Sequence, residues 1–419
     1  METQTQTSAP NRNALIFIVV VVILNTLGLT LIAPVAPFLV ARYVSDPNAI
    51  GVAVGWLSSI YAICQFVAAP ALGLLSDHFG RRPLLLICLL GSAVGYLFLG
   101  VGGALWVLFL GRAIDGLTGA NTSIIIAYIT DVVPSAQRSR YFGMIGAIGA
   151  VSVVLGPAVG GLIAKLGYEV PFYVAGAIAL ISVFYGLFFM PESLSRAQRV
   201  GSIRLAKLNP LTTLSDVFAQ PQLRWLLIAL FLYTLSTIIL PSNLGLFTRD
   251  ILSWDADTVG VLFSIFGIAS VVVQGVLLQW LLKRMIASRV TLAGLWFTAI
   301  ALLLVGLVGV LDTSALLYVG VVVFALGDGF TSPTLLDLIT RGTDERSQGK
   351  VQGGSQSMQS LANILGPVLA GALYDHLGRS SPYWGGAVIV LLAIVAALWA
   401  LPAFRKFTAS TEDTSGSNA

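Results

Sequence analysis

Runs of apolar residues long enough to cross a bilayer recur along this chain, near 14–40, 54–74, 83–102, 104–127, 141–164, 170–190, 223–247, 258–282, 289–311, 314–338, 350–373 and 382–404. An α-helix rises 1.5 Å per residue, so about 20 residues match the ~30 Å hydrocarbon core of a membrane. The pattern predicts an all-α membrane protein with twelve transmembrane helices. Composition agrees: 57% of the 419 residues are hydrophobic and only 10% charged, whereas a soluble domain is roughly a quarter charged. The first run is too long for a signal-peptide core and lacks an A-x-A cleavage site, so it is expected to stay as the first span.

The 23 basic residues sort by side. Eighteen fall on the side of the N-terminus, four on the other (Arg42, Lys165, Arg249 and Arg379), and Arg112 lies inside a span. By the positive-inside rule both termini are cytoplasmic. A net charge of +4 is thereby explained by membrane orientation, and no nucleic-acid partner is expected. Cys64 and Cys88 lie inside apolar runs, and His78 and His376 in connecting segments, so no metal site or cofactor is expected. GVGGALW lacks the Lys-Ser/Thr of a phosphate loop, and no nucleophile–base pair suggests an enzyme.

The longest polar stretch, 191–222, divides the spans into a 14–190 bundle and a 223–404 bundle, with cytoplasmic tails at 1–13 and 405–419. The tail after Phe407 is polar and small in composition and is expected to be disordered. The halves resemble each other. LGPAVGGLIAKLG (Leu155 to Gly167) matches LGPVLAGALYDHLG (Leu365 to Gly378). Asp115-Gly116-Leu117-Thr118 matches Asp328-Gly329-Phe330-Thr331, and Thr130-Asp131 matches Thr343-Asp344. Matches in two pairs of spans, in the same order, predict a duplicated six-helix unit and two pseudo-symmetric bundles.

Three stretches carry chemistry. GLLSDHFGRRPLLL, between the second and third spans, packs Asp77, His78, Arg81 and Arg82 into six positions, with Gly73 and Gly80 at the turn. A positive-inside anchor accounts for the two arginines but not for Asp77 or the spaced glycines. LGRAIDGLTGAN places Arg112 and Asp115 three residues apart, on one helix face near mid-membrane. An ion there costs about 2.5–3.5 kcal/mol, so it must face a partner or a water-filled cavity. A carboxylate whose proton affinity follows a nearby guanidinium and changing hydration can take up a proton in one state and release it in another; a static pair pinning the helices is the competing reading. GAIGAVSVVLGPAVGG spaces small residues for close packing, with Pro157 bending the span beside Gly156, Gly160 and Gly161.

Together these resemble the major facilitator superfamily, and within it the twelve-helix drug/proton antiporters, most closely the tetracycline-efflux type. G-x-x-x-D-x-x-G-R-R resembles the superfamily's signature loop, Arg112 its buried fourth-helix arginine, and G-P-x-x-G-G the motif of its antiporters. The resemblance implies a conformational latch at the loop, with Asp77 facing the start of span eleven near Lys350 and Arg81 reaching Asp131. It also implies a multi-pass protein of the cell's inner (plasma) membrane, with a small molecule and protons as its partners and a monomeric state.

The chain departs from those proteins at three acids. Asn25 and Gly95 stand where they carry aspartates, and span nine, VTLAGLWFTAIALLL, has no carboxylate. Proton handling then falls to Asp115 and Asp328, equivalent across the repeat, with Arg112 beside the first only. Asn25, Tyr61, Gln65, Asn121, Tyr233, Asn243, Gln274, Phe330, Gln356 and Asn363 are candidate lining of a central cavity. Aromatics with two carboxylates and few cations suit amphiphilic, neutral or cationic substrates exported in exchange for protons. Proton-coupled uptake of a metabolite is the alternative; a sensor or scaffold would need a soluble domain that this sequence lacks.

Overall fold

The computed structural model of the protein describes residues 12–194, 199, 220–343 and 347–416; within these, the side chains of 12–18, 24, 25, 29, 135, 136, 139, 221, 222, 401 and 403–416 lie outside the described set. Asp344, most of the 191–222 linker and most of the 1–13 tail therefore lie outside it.

Fifteen α-helices follow one another among the described residues, with no strand: α1 Arg12–Ile32, α2 Ala36–Ala41, α3 Ile50–Phe79, α4 Arg81–Val101, α5 Leu105–Gly119, α6 Thr122–Val132, α7 Ser135–Ile163, α8 Val170–Phe189, α9 Pro221–Leu252, α10 Ala256–Val272, α11 Leu278–Leu282, α12 Ala287–Leu311, α13 Ser314–Arg341, α14 Gln348–Leu377 and α15 Ser381–Gly416. Nine helical stretches among the described residues are long and apolar enough to cross a membrane. The other expected spans fall short for identifiable reasons. The side chains at the start of α1 are outside the described set, and α14 opens on the polar run QGKVQGGSQSMQS. The run near 104–127 is two helices, because the chain leaves helical geometry at Ala120, just past Gly119, and returns to it at Asn121. At the C-terminus α15 continues to Gly416, past the point where disorder was expected: a long apolar helix is already nucleated, and propagation is cheap.

The chain forms two compact units, Met1–Val35 with Ile60–Leu208, and Ala36–Ser59 with Asn209–Ala419. The segment Ala36–Ser59 thus belongs in space with the second unit, although it precedes the 191–222 linker in sequence. In the first unit the buried core gathers Val21, Val22, Leu85, Leu89, Ile124, Tyr128 and Val183 around α1, α4, α6 and α8. In the second, α12 packs on α13 and α9 on α15.

Lipid offers no hydrophobic drive between helices, so close approach through small residues supplies the packing energy. Gly95 on α4 and Gly111 on α5 are an example: a Cβ on either would sit 2.7 Å from the other's carbonyl oxygen. On α7, Gly156 and Gly160 leave room for Thr30 and for the Leu31 carbonyl of α1.

In the second unit α3 and α14 meet along a seam. Both oxygens of Asp375 accept from the first turn of α3, Oδ1 from Gly51 N–H at 3.0 Å and Oδ2 from Val52 N–H at 2.7 Å. Gly51 lies against Gly371, Gly55 against the Pro367 carbonyl, and the Ser59 hydroxyl donates to the Ile364 carbonyl at 2.6 Å. The four-residue spacing of 51, 55 and 59 keeps one face of α3 on the seam. The Asp375 carboxylate satisfies amides that a helix N-terminus cannot pair internally.

Candidate functional site: two membrane-embedded carboxylates and a charged loop

Asp115 is built into the first unit by three helices. Its side chain lies one turn before the α5–α6 break and is 1% exposed. Arg112 Nη1 stands 3.5 Å from Asp115 Oδ2, on the same face of α5, and the guanidinium carbon lies 5.6 Å from the centroid of the Tyr61 ring on α3. Ser92 on α4 lies beside the carboxylate, with its hydroxyl 3.4 Å from that of Thr118. Gln65, one turn beyond Tyr61, donates to the Tyr61 hydroxyl at 3.2 Å and to the Gly119 carbonyl at 3.3 Å. That second bond serves a backbone group near the helix break, as a membrane interior requires. Gly116 and Gly119 permit the approach, since a Cβ at Gly116 would lie 2.5 Å from the Tyr61 carbonyl oxygen and one at Gly119 2.8 Å from its hydroxyl. Arg112, Asp115, Tyr61 and Gln65 are thus brought together, and Asn121 immediately precedes α6.

Asp328 opens the matching Asp-Gly-apolar-Thr stretch, on α13 in the second unit, and its surroundings differ from those of Asp115. The Tyr233 hydroxyl of α9 donates to Asp328 Oδ1 at 2.6 Å. Among the described residues no arginine or lysine pairs with this carboxylate. Beside it, Gly329 makes room for Val273, with Gln274 next to it: a Cβ there would lie 2.6 Å from Val273 Cγ1 and 3.4 Å from Gln274 Cγ. Gln274 sits in a π-helical turn, Val273–Leu277, that prolongs α10. Such turns widen the helix locally and cluster at functional sites.

The remaining cavity candidates scatter. Phe330, two residues past Asp328 and so on the opposite face of α13, is 5% exposed and packs among Val273, Leu278 and Val290. Asn243 is fully buried and neither amide atom has a partner among the described residues. Gln356 is exposed and Asn363 half-buried on α14. The Asn25 side chain lies outside the described residues.

The charged loop forms a network in the first unit. The chain reverses between α3 and α4 at the single residue Gly80, with φ +109°, a conformation that L side chains rarely adopt. Arg81, 9% exposed, pairs with Asp77 at 2.5 Å and with Asp131 at 3.2 Å, and donates to the Ser76 hydroxyl. Glu192, after α8, accepts from the Arg81 backbone N–H at 2.9 Å and stands 3.7 Å from Arg199, so it caps the start of α4. Ser193 donates to Asp131 at 2.9 Å, and Arg82 to the Leu187 carbonyl at 2.5 Å. Sequence reading missed Glu192, Ser193 and Ser92. The Pro-Glu-Ser ending of the sixth apolar run, an acid placed where chain leaves the membrane, was the available signal for the first two.

Nine membrane-length helices among the described residues, with an acid at mid-length of α13, define an integral membrane protein with a candidate functional site inside the bilayer. The chain belongs to the Major Facilitator Superfamily, whose family model matches residues 18–362. It is 30% identical over 402 residues to the class H tetracycline resistance protein of Pasteurella multocida, covering 94% of this chain and 97% of that one. The class C tetracycline resistance protein of Escherichia coli is also 30% identical, over 396 residues, with the same coverage. Among solved structures, the human organic anion transporter MFSD10 (TETRAN) superposes with a TM-score of 0.67 at 23% identity, over 93% of this chain and 100% of that one, a likeness of fold.

Proposed function

We propose that this chain is a proton-coupled antiporter that exports small amphiphilic organic molecules by alternating access. The observation that carries the reading is Asp115, buried beside Arg112 at a helix break within an apolar span. A carboxylate there is stable only with its counter-ion or a proton, and a conformational change that alters its hydration or its distance from Arg112 changes which it holds. Asp328, paired with no arginine or lysine among the described residues, is the second candidate carrier. One charge moving through 100 mV is worth about 2.3 kcal/mol, enough to drive uphill export of an organic molecule.

Similarity to tetracycline resistance proteins over nearly the whole chain supports export. The close seating of α7 on α1 through Gly156 and Gly160, beside Pro157 and Gly161, supports the antiporter motif. In this reading the protein has twelve spans in two six-helix bundles, 14–190 and 223–404, joined by a cytoplasmic 191–222 linker, and acts as a monomer in the inner membrane with both termini cytoplasmic. Gly73, Asp77, Gly80, Arg81, Arg82 and Asp131 serve as a conformational latch; the Arg81 pairs with Asp77 and Asp131 support it.

The test is transport in proteoliposomes across an imposed pH gradient, over a panel of lipophilic cations and tetracyclines. Wild-type protein is expected to move substrate against the proton flux. Co-movement instead would establish uptake, and pH-driven transport retained by both Asp115→Asn and Asp328→Asn would remove the assigned carriers.

A further inference from the structure

In the second unit the turn between α11 and α12 is Lys283-Arg284-Met285-Ile286, and all of these residues are exposed. The helical stretches on either side, Ala256–Leu282 and Ala287–Leu311, are each long and apolar enough to cross a membrane, so the turn sits where hydrocarbon gives way to headgroups. Its first two residues are cations and its last two large apolar groups, with Ile286 56% exposed and Trp280 and Leu282 exposed at the end of α11. Such a surface suits acyl chains better than water. The Arg284 guanidinium carbon lies 4.2 Å from the centroid of the Trp280 ring. Stacking holds the guanidinium in place while its N–H edge stays open to an anion, and Trp is a side chain that settles at the membrane–water boundary.

These cations are not neutralised by the protein around them. The sequence has no Asp or Glu between Asp257 and Asp312, and α12 starts with Arg289 and no acid in its first turn. Among the described residues Lys283, Arg284 and Arg289 form no ion pair with a carboxylate. Thr291 of α12 donates to Thr334 of α13 at 2.7 Å, which brings the end of α13 alongside, but Asp337 there is held by Arg341 at 2.9 Å. The charged loop of the first unit is built the other way: it answers Arg81 with Asp77 and Asp131, and the start of α4 with Glu192. Cations that the fold leaves unanswered beside exposed apolar groups fit a ligand that is an anion at one end and hydrocarbon at the other.

We propose that the α11–α12 turn is a binding site for one anionic glycerophospholipid, its phosphodiester held by Lys283 and the Trp280-stacked Arg284 and its acyl chains lying along Leu282, Met285 and Ile286. A soluble anion would leave those apolar groups uncovered, and a zwitterionic lipid brings its own cation to compete with the two side chains. The site is separate from the embedded carboxylates, so it stands whichever way substrate moves.

Native mass spectrometry of the full chain, delipidated in neutral detergent and titrated with phosphatidylglycerol or phosphatidylcholine of equal chain length, counts bound lipids and gives their affinities. Each basic residue near an anionic lipid is worth about fivefold, so wild type is expected to hold one phosphatidylglycerol about tenfold or more tighter than phosphatidylcholine. Lys283→Gln/Arg284→Gln should bring the two lipids to within about twofold of each other. Trp280→Leu keeps both charges and an apolar side chain, and should weaken phosphatidylglycerol by about threefold while leaving phosphatidylcholine unchanged. Arg140→Gln, at an exposed arginine on α7 of the first unit, should keep the full preference, which distinguishes a site from the general attraction of a basic protein. Glycerol phosphate, the anion without chains, should fail to displace the lipid even at about a hundredfold excess. All the substituted side chains are exposed, so the variants keep the fold. The site is overturned if the double variant keeps the preference, if Arg140→Gln loses as much as the double variant, if Trp280→Leu binds phosphatidylglycerol as wild type does, or if glycerol phosphate displaces the lipid.

Discussion

Asp115 and Asp328 open the same four-residue pattern, Asp-Gly-apolar-Thr, on corresponding helices, yet the structure gives them different company. Around Asp115 the chain supplies its own cation, an aromatic face over that cation, and a hydroxyl from a third helix. Around Asp328 it supplies one phenol. The pattern recurs with the acid and without the arginine three residues before it.

The largest expected effect comes from dividing the balanced pair. Arg112→Ala leaves Asp115 charged and unpaired, and breaking a buried pair by removing one partner costs about 3–5 kcal/mol. Thermal unfolding of purified protein should show a large loss, and the double variant Arg112→Ala/Asp115→Ala should recover most of it. If the single variant melts like wild type, the guanidinium is not the acid's stabiliser and the contrast between the sites collapses.

Smaller is the loss at the second site. Tyr233→Phe keeps the ring and removes one hydrogen bond to the carboxylate, worth about 1.5–3 kcal/mol for a charged acceptor. Transport measured over a pH series should shift its midpoint in this variant and keep it in Tyr61→Phe, whose hydroxyl meets Gln65 and not an acid. Equal shifts in both would erase the distinction.

The smallest is a packing effect. A methyl group at Gly95 would meet the Gly111 carbonyl oxygen at 2.7 Å and Asp115 Cβ at 2.9 Å, so Gly95→Ala should cost about 1–3 kcal/mol of unfolding stability. Gly385→Ala, where the nearest atom is the end of the flexible Leu373 side chain at 3.0 Å, should cost less. The reverse order would mean that the Asp115 side of the fold is loosely held.

Much of this was legible in the residues themselves. Apolar run length located the membrane-length helices, because only a continuous helix satisfies its backbone in lipid. Arg112 and Asp115 announced their contact through three-residue spacing. The break at Ala120 was hidden by apolar neighbours on both sides, since hydropathy averages over a window and backbone geometry does not. Glu192 could not be paired with Arg81 from sequence, because the two are 111 positions apart and meet only when α8 returns beside α4. Phe330 illustrates the opposite error: proximity to Asp328 in the chain suggested a shared surface, and a step of two residues turned its ring to the other side of the helix.

The meeting of α3 with α14 carries a cost that depends on water. While the two are zipped, the Gly51 and Val52 amides and the Asp375 carboxylate answer one another. Drawing the helices apart strands two donors and an anion at once, and in a dry crevice nothing compensates for them. Any parting of these two helices would therefore have to be matched by solvent reaching all three groups.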